Sequence, residues 1–166
     1  MVWRERRPGL ADDQVGFPNS VEGEARPVDR EALLKREDDA WLTFADIVGA
    51  MPPDRREAQG VVPGWSTHDL VWHCAYWAGY AGEMLERIRA GEQDPDDSDL
   101  PEDEILAAGR GMKWEEVILR AQQGRERVRT ALLGFEDLPQ PAIEWFQDDT
   151  FDHYEEHGAQ IRAFGA

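Results

Sequence analysis

Three of the four histidines in this chain fall where amphipathic helices turn side chains inward. They are His73 and the pair His153 and His157. A spacing of four residues places two imidazoles about 5–6 Å apart on nearly the same side of a helix, which is a workable span for two ligands of one ion. A third imidazole from a facing helix would complete a three-nitrogen metal site of the kind that helical bundles hold.

Two interpretations of these histidines are open. An H-x-x-x-H spacing often matches by chance, and an inward histidine is usually a hydrogen-bonded core residue. Three inward histidines favour a metal, because a core without one would have to satisfy each imidazole separately. Asp69 and Asp149 each precede a candidate ligand by four residues. Either carboxylate is a candidate to orient an imidazole, and Asp149 is a candidate ligand, but both equally fit charges at a helix N-terminus.

Four amphipathic segments are expected to position these histidines. The first covers about 29–51 and ends at a pair of prolines, and the second begins at the S-x-x-D capping pattern of Ser66 and ends at Gly91. The third covers about 101–133, with a break near two glycines at 109 and 111, and the last covers about 141–164. No strand pattern competes with these helices.

Four helices with one long connection predict an all-α four-helix bundle. The acidic stretch 92–104 is interpreted as a solvated crossover from one end of the bundle to the other. Residues 1–28 contain several Pro and Gly and show no helical period, so we interpret them as a loose N-terminal arm before a bundle domain over 29–166.

A helical wheel centred on Leu70 places His73 at the edge of the buried face of the second helix and predicts that His68 faces solvent. Cys74 lies on the apolar stripe and is expected to be a packed thiol. The arginine run 120–129 is expected to form a solvated face, with binding of a cofactor carboxylate as the alternative.

Charge and composition limit the classes of partner and function that we expect. The chain carries 35 acidic and 18 basic residues, for a formal net charge of −17 and a pI near 4.5. Nucleic acid and anionic membranes are therefore not expected as partners, since both reward clustered Lys and Arg. No stretch reaches the length of a membrane span, no signal-peptide core begins the chain, and the single cysteine fits a reducing compartment. We expect a cytoplasmic protein.

Two segments resemble the signatures of a known superfamily. Residues 64–73, G-W-S-T-H-D-L-V-W-H, resemble the G-W-S-x-x-D-h-h-x-H signature (h, apolar) of the DinB-like superfamily. Residues 149–157, D-T-F-D-H-Y-E-E-H, resemble its second signature, D-T-h-x-H-Y-x-x-H. The motifs occur in the family's order, and the resemblance covers about 29–164. It implies a DinB/YfiT-like four-helix bundle whose divalent metal ligands, by position, are His73, His153 and His157.

The resemblance also implies a class of activity. Members include transferases that use the thiols mycothiol or bacillithiol, and the maleylpyruvate isomerase type. Because no C-terminal domain of that isomerase type follows in this sequence, isomerase activity is not expected. The expected function is a metal-dependent transfer of a low-molecular-weight thiol such as mycothiol to an electrophile, in detoxification.

Two alternatives to thiol transfer stay open at this point. One is metal-assisted hydrolysis of a reactive small molecule, and the other is a non-catalytic bundle that sequesters a ligand. Imidazole nitrogens suit Zn, Ni, Fe or Cu, and Zn or Ni is the expected ion. Tryptophan-rich helices are also compatible with a homodimer that forms through the faces of the bundle.

Overall fold

The computed structural model describes residues 29–93 and 101–165, with the side chain of residue 102 left aside. Within these ranges the chain forms six α-helices, a short 3-10 helix at Pro53–Arg55, a π-helical turn and no strand. The helices are α1 (Arg30–Ala50), α2 (Thr67–Arg89), α3 (Glu102–Arg110), α4 (Trp114–Leu133), α5 (Gln140–Gln147) and α6 (His153–Gly165). The predicted N-terminal arm and most of the predicted acidic crossover lie outside the described residues.

Side-chain caps explain where the first two long helices begin. The carboxylate of Asp29 accepts a hydrogen bond from the Glu31 amide and caps α1. At α2, the Ser66 hydroxyl accepts from the Asp69 amide at 3.1 Å, and the Asp69 carboxylate accepts from the Ser66 amide at 2.9 Å. This reciprocal capping box satisfies two backbone donors at once. Both starts agree with the sequence prediction.

Helices α2 and α4 run parallel to each other. Because parallel neighbours need a crossover between them, this pairing confirms the predicted all-α bundle with a crossover. Along α2 and α4, Gly79 lies beside Gly124, and Arg89, further along α2, lies beside Gly134 just past α4. Both helices therefore run in the same direction, and the chain between them must return along the length of the bundle. That return includes α3, which packs against α2.

Helices α2 and α4 approach each other closely because glycine faces their contact. A Cβ atom added at Gly124 would lie 2.5 Å from the carbonyl oxygen of Ala75 and 3.0 Å from the amide nitrogen of Gly79. Any larger residue would force the two backbones apart. This contact fixes the position of α2, and with it the position of His73.

Helices α1 and α6 form the other parallel pair. The ring of Phe44 in α1 stacks on Tyr154 in α6 with the centroids 5.5 Å apart, and Met51 reaches Gly165 at the ends of both helices. The core between the two pairs is made of aliphatic and aromatic side chains from α1, α2, α4 and the segment from α5 to α6.

A π-helical turn, Asp148–Asp152, joins α5 to α6. The sequence pattern predicts one helix over about 141–164. The structure differs, because the π-helical turn shifts the register of the apolar stripe. The Thr150 hydroxyl donates a hydrogen bond of 2.6 Å to the carbonyl of Phe146 inside the turn. A side-chain donor of this kind satisfies a carbonyl where the regular helical ladder is interrupted.

Candidate metal centre

The bundle brings His73, His153 and His157 together. His73 lies in the second turn of α2, and the other two begin α6 one turn apart. Their ring centroids are separated by 5.0, 5.1 and 5.3 Å, so the three rings form a nearly equilateral triangle. One ring nitrogen from each lies within 4.8 Å of the others. No other group of three such side chains is found within residues 29–93 and 101–165.

A backbone carbonyl from the π-helical turn orients His153. Its Nδ1 atom lies 2.5 Å from the carbonyl oxygen of Asp148. A carbonyl only accepts hydrogen bonds, so Nδ1 carries the proton and a neutral ring keeps its lone pair on Nε2. That Nε2 lies 3.2 Å from Nε2 of His73. The turn therefore presents His153 in the tautomer that can bind a metal through Nε2.

A polar chain on α6 orients His157 in the same way. The Gln160 amide nitrogen donates to the carboxylate of Glu156 at 3.3 Å, which points its amide oxygen back towards the imidazole. Nδ1 of His157 donates to that oxygen at 2.8 Å. Burial lowers the pKa of His157, so the ring is neutral at physiological pH. Nε2 is thus the nitrogen of this ring that could bind a metal.

The spacing of two of the three donors fits a divalent ion, and the third lies within 4.8 Å of both. Two nitrogens bound at 2.0–2.1 Å to a tetrahedral ion lie about 3.3 Å apart, close to the 3.2 Å between Nε2 of His73 and Nε2 of His153. Imidazole nitrogens suit Zn, Ni, Co and Cu better than Mg or Ca. His153 is the most exposed of the three, at 15% of its side chain, and marks the side nearest to solvent.

The two candidate orienting carboxylates have different positions. Asp149 is fully buried, and its Oδ1 lies 3.6 Å from Nδ1 of His153, so its charge lies beside the site although the hydrogen bond of that nitrogen goes to the neighbouring carbonyl. Asp69 instead binds Ser66 and the guanidinium of Arg110. It caps the N-terminus of α2, which agrees with the alternative interpretation as a charge at a helix N-terminus.

His68 is buried, and the prediction that it faces solvent is wrong. Its side chain is 1% exposed, and Nε2 lies 3.1 Å from the carbonyl oxygen of Met112 in the link between α3 and α4. The ring also packs against Trp114. Helix α2 is covered by neighbours on nearly every side of its first two turns, so a wheel with one solvent face does not describe it.

Aromatic side chains surround His73. The rings of Trp65 and Trp77 meet its imidazole edge-on, with centroids 5.2 and 6.1 Å away. They belong to a narrow cleft that also includes residues of α3. The cleft is lined by Trp65, Trp72, His73, Trp77, Ile105 and Leu106. Cys74 points into the core, and burial raises the pKa of its thiol far above the ordinary value, so it stays protonated.

The arginines of α4 do not form a solvated face throughout. Arg125 and Arg129 both bind the carboxylate of Glu37, which is fully buried in α1, and both also contact Asp38. This network could not be predicted from helical periodicity, because the partners lie about ninety residues apart in the sequence. One signal was present, since Glu37 falls on the apolar stripe seven residues before Phe44.

Comparison with known protein families and with curated proteins finds no match. Among solved structures, the fold is similar to a crystal structure of a protein from Streptococcus pneumoniae determined by the Northeast Structural Genomics Consortium. The superposition has a TM-score of 0.67 at 10% sequence identity, and it covers 82% of this chain and 90% of the other. This similarity supports the helical fold. Within residues 29–93 and 101–165, no helix has the length and apolar character that crossing a membrane requires.

Proposed function

We propose that His73, His153 and His157 bind a divalent metal ion and that the protein transfers a low-molecular-weight thiol to an electrophilic small molecule. The observation that carries the proposal is the convergence of three imidazoles, two of them held by hydrogen bonds in the tautomer that leaves Nε2 available. Such precise orientation of ring nitrogens is typical of metal ligands.

The donor set favours a catalytic ion over a structural one. His73, His153 and His157 would hold a divalent ion through neutral nitrogens, so that its charge would stay uncompensated and it would lower the pKa of a thiol or water that binds it. The buried carboxylate of Asp149 balances part of that charge from beside His153. In the overall reaction the thiol loses its proton, sulfur bonds to the electrophilic carbon, and the leaving group departs with the electron pair of its bond and takes up a proton.

The surroundings of His73 favour an organic thiol and electrophile over water as reactants. Trp65 and Trp77 exclude water from one side of the imidazole and offer apolar surface to organic molecules. We place the activity in the cytoplasm, where low-molecular-weight thiols are kept reduced, and assign it to detoxification. Zinc and nickel are the proposed ions.

The experiment that tests the metal site is elemental analysis of the purified protein and of three variants, His73→Ala, His153→Ala and His157→Ala. We expect about one ion per chain in the wild type and loss of the ion from each folded variant, with folding followed by circular dichroism. His68→Gln is the matched control, because it changes a buried histidine outside the triangle and keeps a donor for the carbonyl of Met112. A metal-free wild type after reconstitution with zinc and nickel would refute the site.

The reaction class is tested on metal-loaded protein with and without an added thiol such as mycothiol. Turnover of an electrophile only when the thiol is present supports transfer. Turnover without thiol would show that the reaction is hydrolysis and not thiol transfer. If no electrophile turns over although the metal is bound, the protein is a binding module in which the ion has a structural role.

A further inference from the structure

Polar contacts hold helices α1 and α4 together at one end only. Arg125 and Arg129 of α4 bind the carboxylate of Glu37 in α1. Arg30, at the start of α1, donates to the carbonyl of Phe135 just past the end of α4, so the two helices run in opposite directions. Among the described residues, the second half of α1 forms no hydrogen bond or ion pair with α4.

The space between these two helices is a crevice of about 250 Å³. Its walls include Trp41 and Val48 from α1 and Trp114 and Ile118 from α4, and no described residue that lines it carries a charged side chain. A cavity of about 150 Å³ with apolar walls is enough to hold a benzene ring. The α1–α4 crevice therefore has room for a larger apolar group without movement of a side chain.

Small residues on α1 keep the crevice open. A Cβ atom added at Gly49 would have no neighbour within 4 Å, and Ala45 lies one turn earlier on the same wall. Gly49 is exposed, and the indoles of Trp41 and Trp114 are only half-buried, so one side of the crevice faces solvent. A ligand that covers these surfaces gains the free energy of removing apolar area from water.

A cation lies at the end of the crevice where α1 ends and α4 begins. The guanidinium carbon of Arg56 is 4.6 Å from the ring centroid of Trp114, and its Nε donates to the carbonyl of Met51 at 3.4 Å. Met51 follows Gly49 by only two residues, and Trp114 is itself part of the crevice wall. Arg56 is half-buried, and it forms no ion pair with any described residue.

The two ends of the crevice therefore differ in the charge that they offer a ligand. At the end nearer the start of α1, the guanidinium of Arg125 lies over the ring of Trp41, but the carboxylate of Glu37 already neutralises it. At the other end, the remaining N–H donors of Arg56 have no acceptor among the described residues. A guanidinium group binds a carboxylate through two parallel hydrogen bonds. A molecule with an apolar body and one carboxylate matches both features.

We propose that the α1–α4 crevice binds an organic acid, with its apolar body between Trp41 and Trp114 and its carboxylate paired with Arg56. The body has about the size of two fused rings, since the crevice is larger than a cavity that holds one ring. None of the three clustered histidines lines the crevice. This second binding site is therefore independent of the proposed function.

The test is calorimetric binding of 2-naphthoate and 2-naphthamide to the full chain. The two probes share one ring system and differ in charge, and about 0.15 M salt screens long-range repulsion by the acidic surface. We expect naphthoate to bind about three- to tenfold more tightly than the amide. Arg56→Gln should remove this preference by weakening naphthoate alone. Arg120→Gln changes an exposed arginine of α4 outside the crevice and should leave both affinities unchanged.

A second variant tests where the probes bind. Gly49→Leu places a branched side chain in the crevice without a clash at Cβ, so we expect both probes to bind about tenfold more weakly or worse. Ala50→Leu is the control, because Ala50 is exposed and does not line the crevice.

Three results would each overturn the inference. They are equal affinity of the wild type for the two probes or no binding of either, an unchanged preference in Arg56→Gln, and full affinity in a folded Gly49→Leu variant. Naphthoate that binds Gly49→Leu normally but not metal-free protein would be bound at the histidines. That result would refute the crevice site and leave the proposed metal site standing.

Discussion

Gln160 should control the metal affinity of His157 without touching the ion. Its amide oxygen accepts the Nδ1 proton at 2.8 Å, and His157 is fully buried. In Gln160→Leu this acceptor is lost, so the proton can move to Nε2 and block the nitrogen that faces the other two imidazoles. Loss of such an orienting partner typically costs 10- to 100-fold in metal affinity. Because Gln160 is half-buried, water replaces part of the lost acceptor, and we expect a loss of about 10- to 30-fold, or ~1.4–2 kcal/mol.

The assay is a zinc titration of metal-free protein in competition with a chromophoric chelator. The double variant Gln160→Glu, Glu156→Gln exchanges the two partners, keeps an oxygen acceptor for Nδ1 without placing two carboxylates together, and should bind zinc at least as tightly as the wild type. Gln123→Leu makes the same substitution at an exposed position of α4 and controls for general effects. A folded Gln160→Leu variant that binds zinc within twofold of the wild type would refute the argument that the tautomer of His157 is set by Gln160.

Three further predictions concern the scaffold, and each is measured by urea unfolding. Gly124→Ala should destabilise the fold by about 1–3 kcal/mol or more through its backbone clash, whereas Gly49→Ala, with nothing within 4 Å, should be neutral or slightly stabilising; equal effects would contradict the close α2–α4 packing. Glu37→Leu should cost about 3 kcal/mol by removing the carboxylate that two arginines share, and a loss below about 1 kcal/mol would argue against that network. Burial raises the pKa of Asp69, but the hydrogen bonds from Arg110 and Ser66 outweigh burial and hold this pKa below its ordinary value. The ionised Asp69 therefore stabilises the fold above about pH 4, and this stabilisation is lost as the pH falls through the lower pKa of the folded state. Asp69→Asn should therefore lower stability at pH 7 and flatten its acid dependence, and an unchanged acid limb would count against the ion pair.

Helix positions could be predicted from the sequence because their signals are local. The capping box at Ser66 and Asp69 and the N-cap at Asp29 act within a few residues of the backbone groups they satisfy. The same holds for the pairing of His153 with His157, which needs only the helical period. The position of His73 beside this pair depends on how α2 packs against α6. The four-helix pattern predicted a bundle but did not specify that packing.

The features that could not be predicted depend on contacts between residues far apart in the sequence, or on the register of the backbone. His68 was misplaced because the link between α3 and α4 covers the side of α2 that a wheel assigns to solvent. Glu37 in α1 binds Arg125 and Arg129 in α4. The periodicity of one helix does not show which residues of another helix it contacts. Gln160 acts through a side-chain amide whose orientation depends on Glu156, so its role emerges only once both are placed.

The π-helical turn between α5 and α6 makes the rotational phase of the two histidines depend on a single residue. A regular helix advances by about 100° per residue, so removing one residue from 148–152 would turn α6 by about that angle relative to α5. His153 and His157 would then point away from His73, while the apolar face of α5 would stay where it is. A deletion of one residue in this turn would therefore remove the three-histidine triangle from this chain with no substitution of a ligand.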